Sequence, residues 1–276
     1  MSMNPSRRIL TELLREDDER VDLAQAALLI AQEDYSDLEI RPYLARLDQL
    51  ASRAGELVKG LPDDEATAGL VRFLFVDEGF KGNEDDYHDP RNSYLNEVLD
   101  RRLGIPITLS VVAMEVARRL GLPLMGLALP GHFILRYSTQ GELMFDPFNG
   151  GQRLTLDGCR EIVARASGQT LELDAEHLRP AGTHEILIRI LRNLKGACLR
   201  ANDLPRALAA IERIMIMNPD DHAEIRDRGM ILAKMGLATK ALVDLETYLR
   251  LDPDAHDSDE VWEQVRSIRG ARSMLI

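Results

Sequence analysis

Apolar residues recur along the first quarter of the chain at three- and four-residue spacing. "ILTELLRE", "RVDLAQAALLIAQEDY", "RPYLARLDQLASRAGELVKG" and "EATAGLVRFLFVDEGF" all carry this period, which predicts helices from residue 5 to about residue 80. In the third, Leu44, Leu47, Leu50, Ala51, Ala54 and Leu57 share a predicted face, and Gly60 and Pro62 end the helix. The pattern then changes. "KGNEDDYHDPRNSYL" is rich in Gly, Asn, Asp and Pro and reads as a loop. Its Ser93 is a candidate cap for a helix whose first turn holds Asn96 and Glu97. "ITLSVVAMEVARRLG" is an apolar helix closed by Gly121, followed by short strand candidates "LMGLALP", "HFILRY", "LMFDPF" and "QRLTL". "STQGE" has the composition of a hairpin turn between the second and third of these strands. A helix feeding a small antiparallel sheet is an α+β arrangement.

The last third repeats itself. "RNLKGACLRANDLPRALAAIERIMIMNPDD" from Arg192 aligns with "RDRGMILAKMGLATKALVDLETYLRLDPDA" from Arg226 at an offset of 34 residues. Ala207 and Leu208 match Ala241 and Leu242, and Pro219 and Asp220 match Pro253 and Asp254. Helix, short turn, helix and Asn/Asp-Pro at this period is the tetratricopeptide pattern. The small residues let paired helices approach, and each proline ends a repeat because it cannot continue its helix. Two repeats rarely stand alone, so "VWEQVRSIRGA" is expected to cap the second. The expected division is 1–80, an N-terminal helical segment; 81–182, the α+β core; and 183–276, the repeats with their capping helix.

Composition narrows the partners. Apolar residues make up 45% and charged residues 29%, a balance that suits a folded globular chain. The formal net charge of -12 opposes binding to nucleic acid, which rests on neutralising phosphates. No run reaches the roughly 18 uncharged apolar residues of a membrane span. "MSMNPSRRILTELLREDDER" turns charged too early for a signal-peptide core, so a cytoplasmic setting is expected. Cys159 and Cys198 are too few for a disulfide framework and lie in helical patterns, where they read as small buried apolar residues. No HExxH or CxxC spacing points to a metal, and no Gly-rich phosphate loop appears, so no cofactor is expected.

Candidate chemistry gathers on the strands. His132 in "LPGHFILRY" and Asp146 in "MFDPFNGG" are 14 residues apart, an even number, with the turn about midway. That spacing puts them on one face of adjacent antiparallel strands, side by side. Two readings remain open. The pair faces a cleft and binds a ligand or does acid-base work, or it is a structural remnant whose carboxylate accepts from the imidazole or from turn N–H groups. Tyr87, Arg91, Asn92 and Ser110 are candidates to line such a cleft.

A resemblance sharpens these readings. "LFVDEGFKGNEDDYHDPRNSYLNEVLDRRLGIPITLSVVAMEVARRLGLPLMGLALPGHFILRY", with "FDPFNGG" and the repeat tail, resembles the SirB1 family, whose core belongs to the papain-like or transglutaminase-like superfamily. "DPRNSYLNEVLDRRLGIPITLS" and "PGHF" are its specific parts. The resemblance implies a Cys at a helix start, a His on one strand and an Asp on the next; the thiolate attacks an amide, the His transfers protons and the Asp orients the His. His132 and Asp146 match the His and Asp. Counting back from "RRLGLP" puts Gly104 in the Gly place, Ser110 in the small-residue place and Pro106 in the Cys place. Proline suits a first helical turn but carries no nucleophile. Ser110 lies about 6 Å further along the axis, and Thr108 faces about 200° away, so neither hydroxyl takes over without a register shift.

The expectation is therefore a protein-binding or regulatory protein without the nucleophilic Cys, taking a protein or peptide through a concave repeat groove. The alternative is a hydrolase or amide-modifying enzyme using His132 and Asp146.

Overall fold

The computed structural model describes residues 5–138, 143–168 and 172–273, in two compact units, Met1–Ile190 and Leu191–Ile276. The first unit opens with helices α1 (Pro5–Leu13), α2 (Leu23–Gln32), α3 (Ile40–Val58) and α4 (Asp63–Arg72), the last running into a π-helical turn, Phe73–Asp77. The Asp22 carboxylate caps α2 by accepting from the Gln25 N–H. Eight of the ten α2 residues are buried, so α2 forms an inner element of the helical layer. On α3, Leu47, Leu50, Ala51, Ala54 and Val58 are buried while Leu57 is 62% exposed, against expectation. At about 100° per residue, Val58 lies about 30° from the centre of the stripe set by the other four, and Leu57 about 70° from it.

The chain then passes through β1 (Lys81–Gly82), a 3-10 turn (Pro90–Ser93), α5 (Leu95–Arg101) and β2 (Leu103–Gly104), which pairs parallel with β1. Ser93 does not cap α5: Tyr94 holds the cap position without a side-chain bond. Pro90 starts a 3-10 turn, and Asp89 caps that instead, accepting from the Arg91 N–H. Next is α6 (Pro106–Leu120), with proline at its first position and Gly121 in the left-handed conformation at its end.

Strands β3 (Leu124–Leu127), β4 (Ile134–Tyr137), β5 (Met144–Asp146) and β6 (Gln152–Leu154) form one antiparallel sheet in sequence order. Ser138 begins the expected turn at positive φ; the rest of that turn, 139–142, lies outside the described residues. Leu127, Ile134, Met144 and Leu154 pack on Cys159, Ile162 and Val163 of α7 (Leu156–Ser167). The opposite face meets α6. A Cβ on Gly126 would lie 2.5 Å from the Phe133 ring and 3.1 Å from Met114 Sδ, so the strand tolerates only glycine there.

Helix α8 (Thr183–Arg200) runs from the first unit into the second, which continues with α9 (Leu204–Met217), α10 (His222–Lys234), α11 (Ala238–Leu251) and α12 (Ser258–Ser273). Both ends of α9 and α11 are offset by 34 residues (204 to 238, 217 to 251), and each ends just ahead of its Asn/Asp-Pro. Ala207 and Ala241 are fully buried. Leu242, Leu245 and Tyr248 join Ile225 of α10 and Val261 and Val265 of α12 in one core. Leu208 departs from the repeat: it is half-buried, lining a groove between α9, α10 and α11, whereas its counterpart Leu242 is buried in that core.

Candidate functional site

The site starts from a tight turn. His132 is expected on the strand, but β4 starts at Ile134 and His132 follows Pro130-Gly131 two residues ahead of it; its N–H donates to the Leu129 carbonyl at 3.2 Å. Gly131 has φ +73, and a Cβ there would lie 2.6 Å from Ala166 Cβ on α7. Asp146 ends β5. The register pairs Leu135 with Phe145 and Arg136 with Met144, so continuing it puts Ile134, not His132, opposite Asp146. The pair is therefore diagonal rather than side by side. Side-chain length closes the gap: His132 Nε2 lies 3.1 Å from both carboxylate oxygens of Asp146.

Asp146 is 1% exposed and saturated with donors. Besides the imidazole it accepts from the Phe148 N–H at 3.0 Å, the Asn149 N–H at 3.3 Å and the Asn149 side-chain amide at 2.7 Å. Burial opposes its ionisation, yet the bonds from His132 and Asn149 outweigh burial and hold its pKa below the ordinary carboxylate value. An ionised Asp146 accepts only, so the imidazole proton facing it sits on Nε2. That leaves Nδ1 as the acceptor of a neutral ring, and it has no hydrogen-bond partner among the described residues. The His132 side chain retains 13% exposure.

Hydrogen bonds tie this turn to the start of α6. The Gly82 N–H donates to the Phe148 carbonyl at 3.1 Å, and the Asn83 N–H donates to the Gly104 carbonyl at 2.9 Å. The Phe148 ring covers Gly82, where a Cβ would lie 2.5 Å from it. Tyr87 packs edge-on against Phe148 with centroids 5.6 Å apart, and burial raises its phenol pKa while the Arg189 charge opposes the rise. Arg189 of α8 reaches within 3.4 Å of the Leu129 and His132 carbonyls, bracing the turn that carries the imidazole. No sequence signal pointed to Arg189; its role comes from a contact 57 residues away.

The other expected residues have different placements. Pro106 is buried at the first position of α6. Ser110 is fully buried and donates to the Pro106 carbonyl at 2.8 Å; Thr108, almost fully buried, donates to the Asn92 carbonyl at 2.7 Å. Asn92 is also fully buried: its amide donates to the Asp86 and Tyr87 carbonyls and accepts from Asn83. It clamps the loop rather than lining a cleft. Arg91 is exposed and paired with Asp89 at 2.8 Å. Neither cysteine forms a disulfide and both are buried; burial, followed by the Asp146 charge, pushes the Cys159 thiol up to about 11. Among the described residues, no cluster of His, Cys, Asp and Glu fits a metal ion.

This arrangement is that of a transglutaminase-like domain followed by helical repeats. The family model for the transglutaminase-like superfamily matches residues 41–192, and the chain belongs to that superfamily. A tetratricopeptide repeat model matches residues 194–266. A UPF0162 protein of Xylella fastidiosa is 41% identical over 254 residues, covering 89% of each chain. A UPF0162 protein of Pseudomonas aeruginosa is 35% identical over 249 residues (88% of this chain, 87% of the relative). The UPF0162 protein YchA of Escherichia coli K12 is 31% identical over 237 residues (85% and 87%). These relatives carry the UPF0162 name rather than the SirB1 name. The architecture supports a protein-interaction role at family level. Among the described residues no helix is long and apolar enough to cross a membrane.

Proposed function

We propose that this chain is a non-catalytic, SirB1-type member of the superfamily that acts by binding protein or peptide. The observation that carries this reading is the start of α6. Pro106 stands in the nucleophile place, and the two nearby hydroxyls, Thr108 and Ser110, are buried and bonded to backbone carbonyls. A hydroxyl so committed is buried away from an amide, and its proton is already donated to a carbonyl. The Cys159 thiol, pushed up to about 11, holds little thiolate at neutral pH. On this reading His132 and Asp146 form a retained pair that shapes the "DPFNGG" turn or receives a ligand.

The binding role falls to the repeats. Leu208, Leu232, Leu237 and Val243 line a groove of about 350 Å3 framed by Arg228 and Lys240, and Val243 is 61% exposed. Exposed apolar side chains gathered in one groove suit a partner helix or peptide. We keep 1–80, 81–182 and 183–276 as functional divisions and the cytoplasm as compartment, supported by two buried cysteines that form no disulfide. The test is steady-state turnover of amide, ester and peptide substrates with and without iodoacetamide, beside co-purification of bound proteins. Absence of thiol-dependent turnover, and partner capture lost in Val243→Glu, are the expected results. Iodoacetamide-sensitive turnover sinks the reading.

One observation favours the alternative of a hydrolase. With Nε2 turned to Asp146, Nδ1 is an unclaimed acceptor and fits a base that activates water. Turnover insensitive to iodoacetamide and lost in His132→Ala would support it.

A further inference from the structure

A pocket of about 400 Å3 lies where β4, β5 and β6 meet the start of α7. Its floor is apolar: Met144, Leu154, Leu156 and Leu178, all part of or packed on the core beneath α7. Its rim carries Arg136, on the same sheet face as Met144 and Leu154, whereas the register puts Arg153 on the opposite face. Elsewhere in this unit arginines share buried carboxylates, as Arg53 and Arg102 share Glu78 and Arg118 and Arg119 share Glu115. Among the described residues, neither Arg136 nor Arg153 has a carboxylate within ion-pair distance. Asp157, the acid lining the pocket, is engaged with Arg160 at 2.7 Å. Arg136 Nε is buried and has no hydrogen-bond partner among the described residues. A buried donor without an acceptor is costly, and here it belongs to a charged group beside an open space.

The backbone adds to the same field. α7 is a twelve-residue helix, and the Thr155 hydroxyl accepts only from the Gly158 N–H. The Leu156 and Asp157 amides at the rim remain without acceptors among the described residues, at the helix end where anions are favoured. A guanidinium over a hydrocarbon floor selects for a ligand of two parts. In a chain of net charge -12, an inorganic anion gains little from the long-range field, so an apolar body must supply much of the affinity.

We infer that this pocket binds an aliphatic carboxylate, with its head at Arg136 and its chain on Leu154, Leu156 and Leu178. The inference is independent of the proposed function. Isothermal titration of the full chain with octanoate, 1-octanol and inorganic phosphate tests it. Octanoate should bind saturably at one site, with octanol and phosphate each at least about tenfold weaker. Arg136→Gln should weaken octanoate about tenfold or more, the effect of one charge-assisted contact. Leu178→Glu should weaken it similarly with unchanged circular dichroism. If Arg136→Gln does not fold, Leu178→Glu carries the test. Absence of saturable octanoate binding overturns the inference. So does octanoate affinity within about twofold of the parent in the folded variants, or octanol or phosphate binding as tightly as octanoate.

Discussion

Replacing Asp146 with Asn changes one atom in a buried site and removes its charge. The carboxylate accepts from His132 Nε2, two backbone N–H groups and the Asn149 amide. Asn supplies a single acceptor oxygen. Placed at the Oδ1 position, that oxygen keeps the Phe148 and Asn149 N–H groups, but the new NH2 then opposes the Asn149 Nδ2 donor. Asn149 must turn over, or one buried donor is left unpaired. Losing one charge-assisted bond and straining a second costs about 2–3 kcal/mol. In a unit of 190 residues that lowers Tm by roughly 4–12 °C. The pH dependence has a definite sign. Asp146 is depressed when folded, so its contribution is full above the unfolded value of about 3.9 and is lost as pH falls through the folded pKa. Thermal melts from pH 7 down to pH 2, parent against variant, read both effects. The difference between the two should narrow in acid. A variant within about 0.5 kcal/mol of the parent at pH 7 refutes the claim that this carboxylate organises the turn.

The repeats give a paired test: Ile211→Asp, at a fully buried position, should destabilise the chain by about 3 kcal/mol or more, and the half-buried Leu208→Asp by roughly 1 kcal/mol, in urea denaturation. Equal effects would contradict the packing of α9. Cys159, with its thiol raised to about 11, should resist iodoacetamide in the native chain at pH 8 and react once the chain is unfolded, as peptide mapping will show. Because the folded state keeps that proton longer than the unfolded chain, stability should fall as pH rises above about 9, and less so in Cys159→Ala.

The helices and the repeat were legible because their information is local and periodic. The 34-residue offset reappears at both ends of α9 and α11. The even separation of His132 and Asp146 was enough to put them on one face, since strand side chains alternate. It was not enough to give their diagonal register, which depends on where pairing begins beyond the turn. Ser93 reads as the cap, but Pro90 opens a 3-10 turn that Asp89 caps instead, and this depends on how the loop folds. Leu208 and Leu242 are equivalent in the repeat but have different neighbours, so only packing separates them. Arg189 was invisible because its acceptors are carbonyls that any residue type provides.

The central claim is that no side chain of this protein forms a covalent acyl intermediate. Intact-mass analysis of the native chain after exposure to an excess of p-nitrophenyl acetate and, separately, a peptidyl chloromethyl ketone tests it most directly, with His132→Ala alongside. The account predicts an unmodified mass, or slow surface labelling identical in both chains. A rapid, single adduct on Thr108, Ser110, Cys159 or Cys198 that disappears in His132→Ala would contradict it.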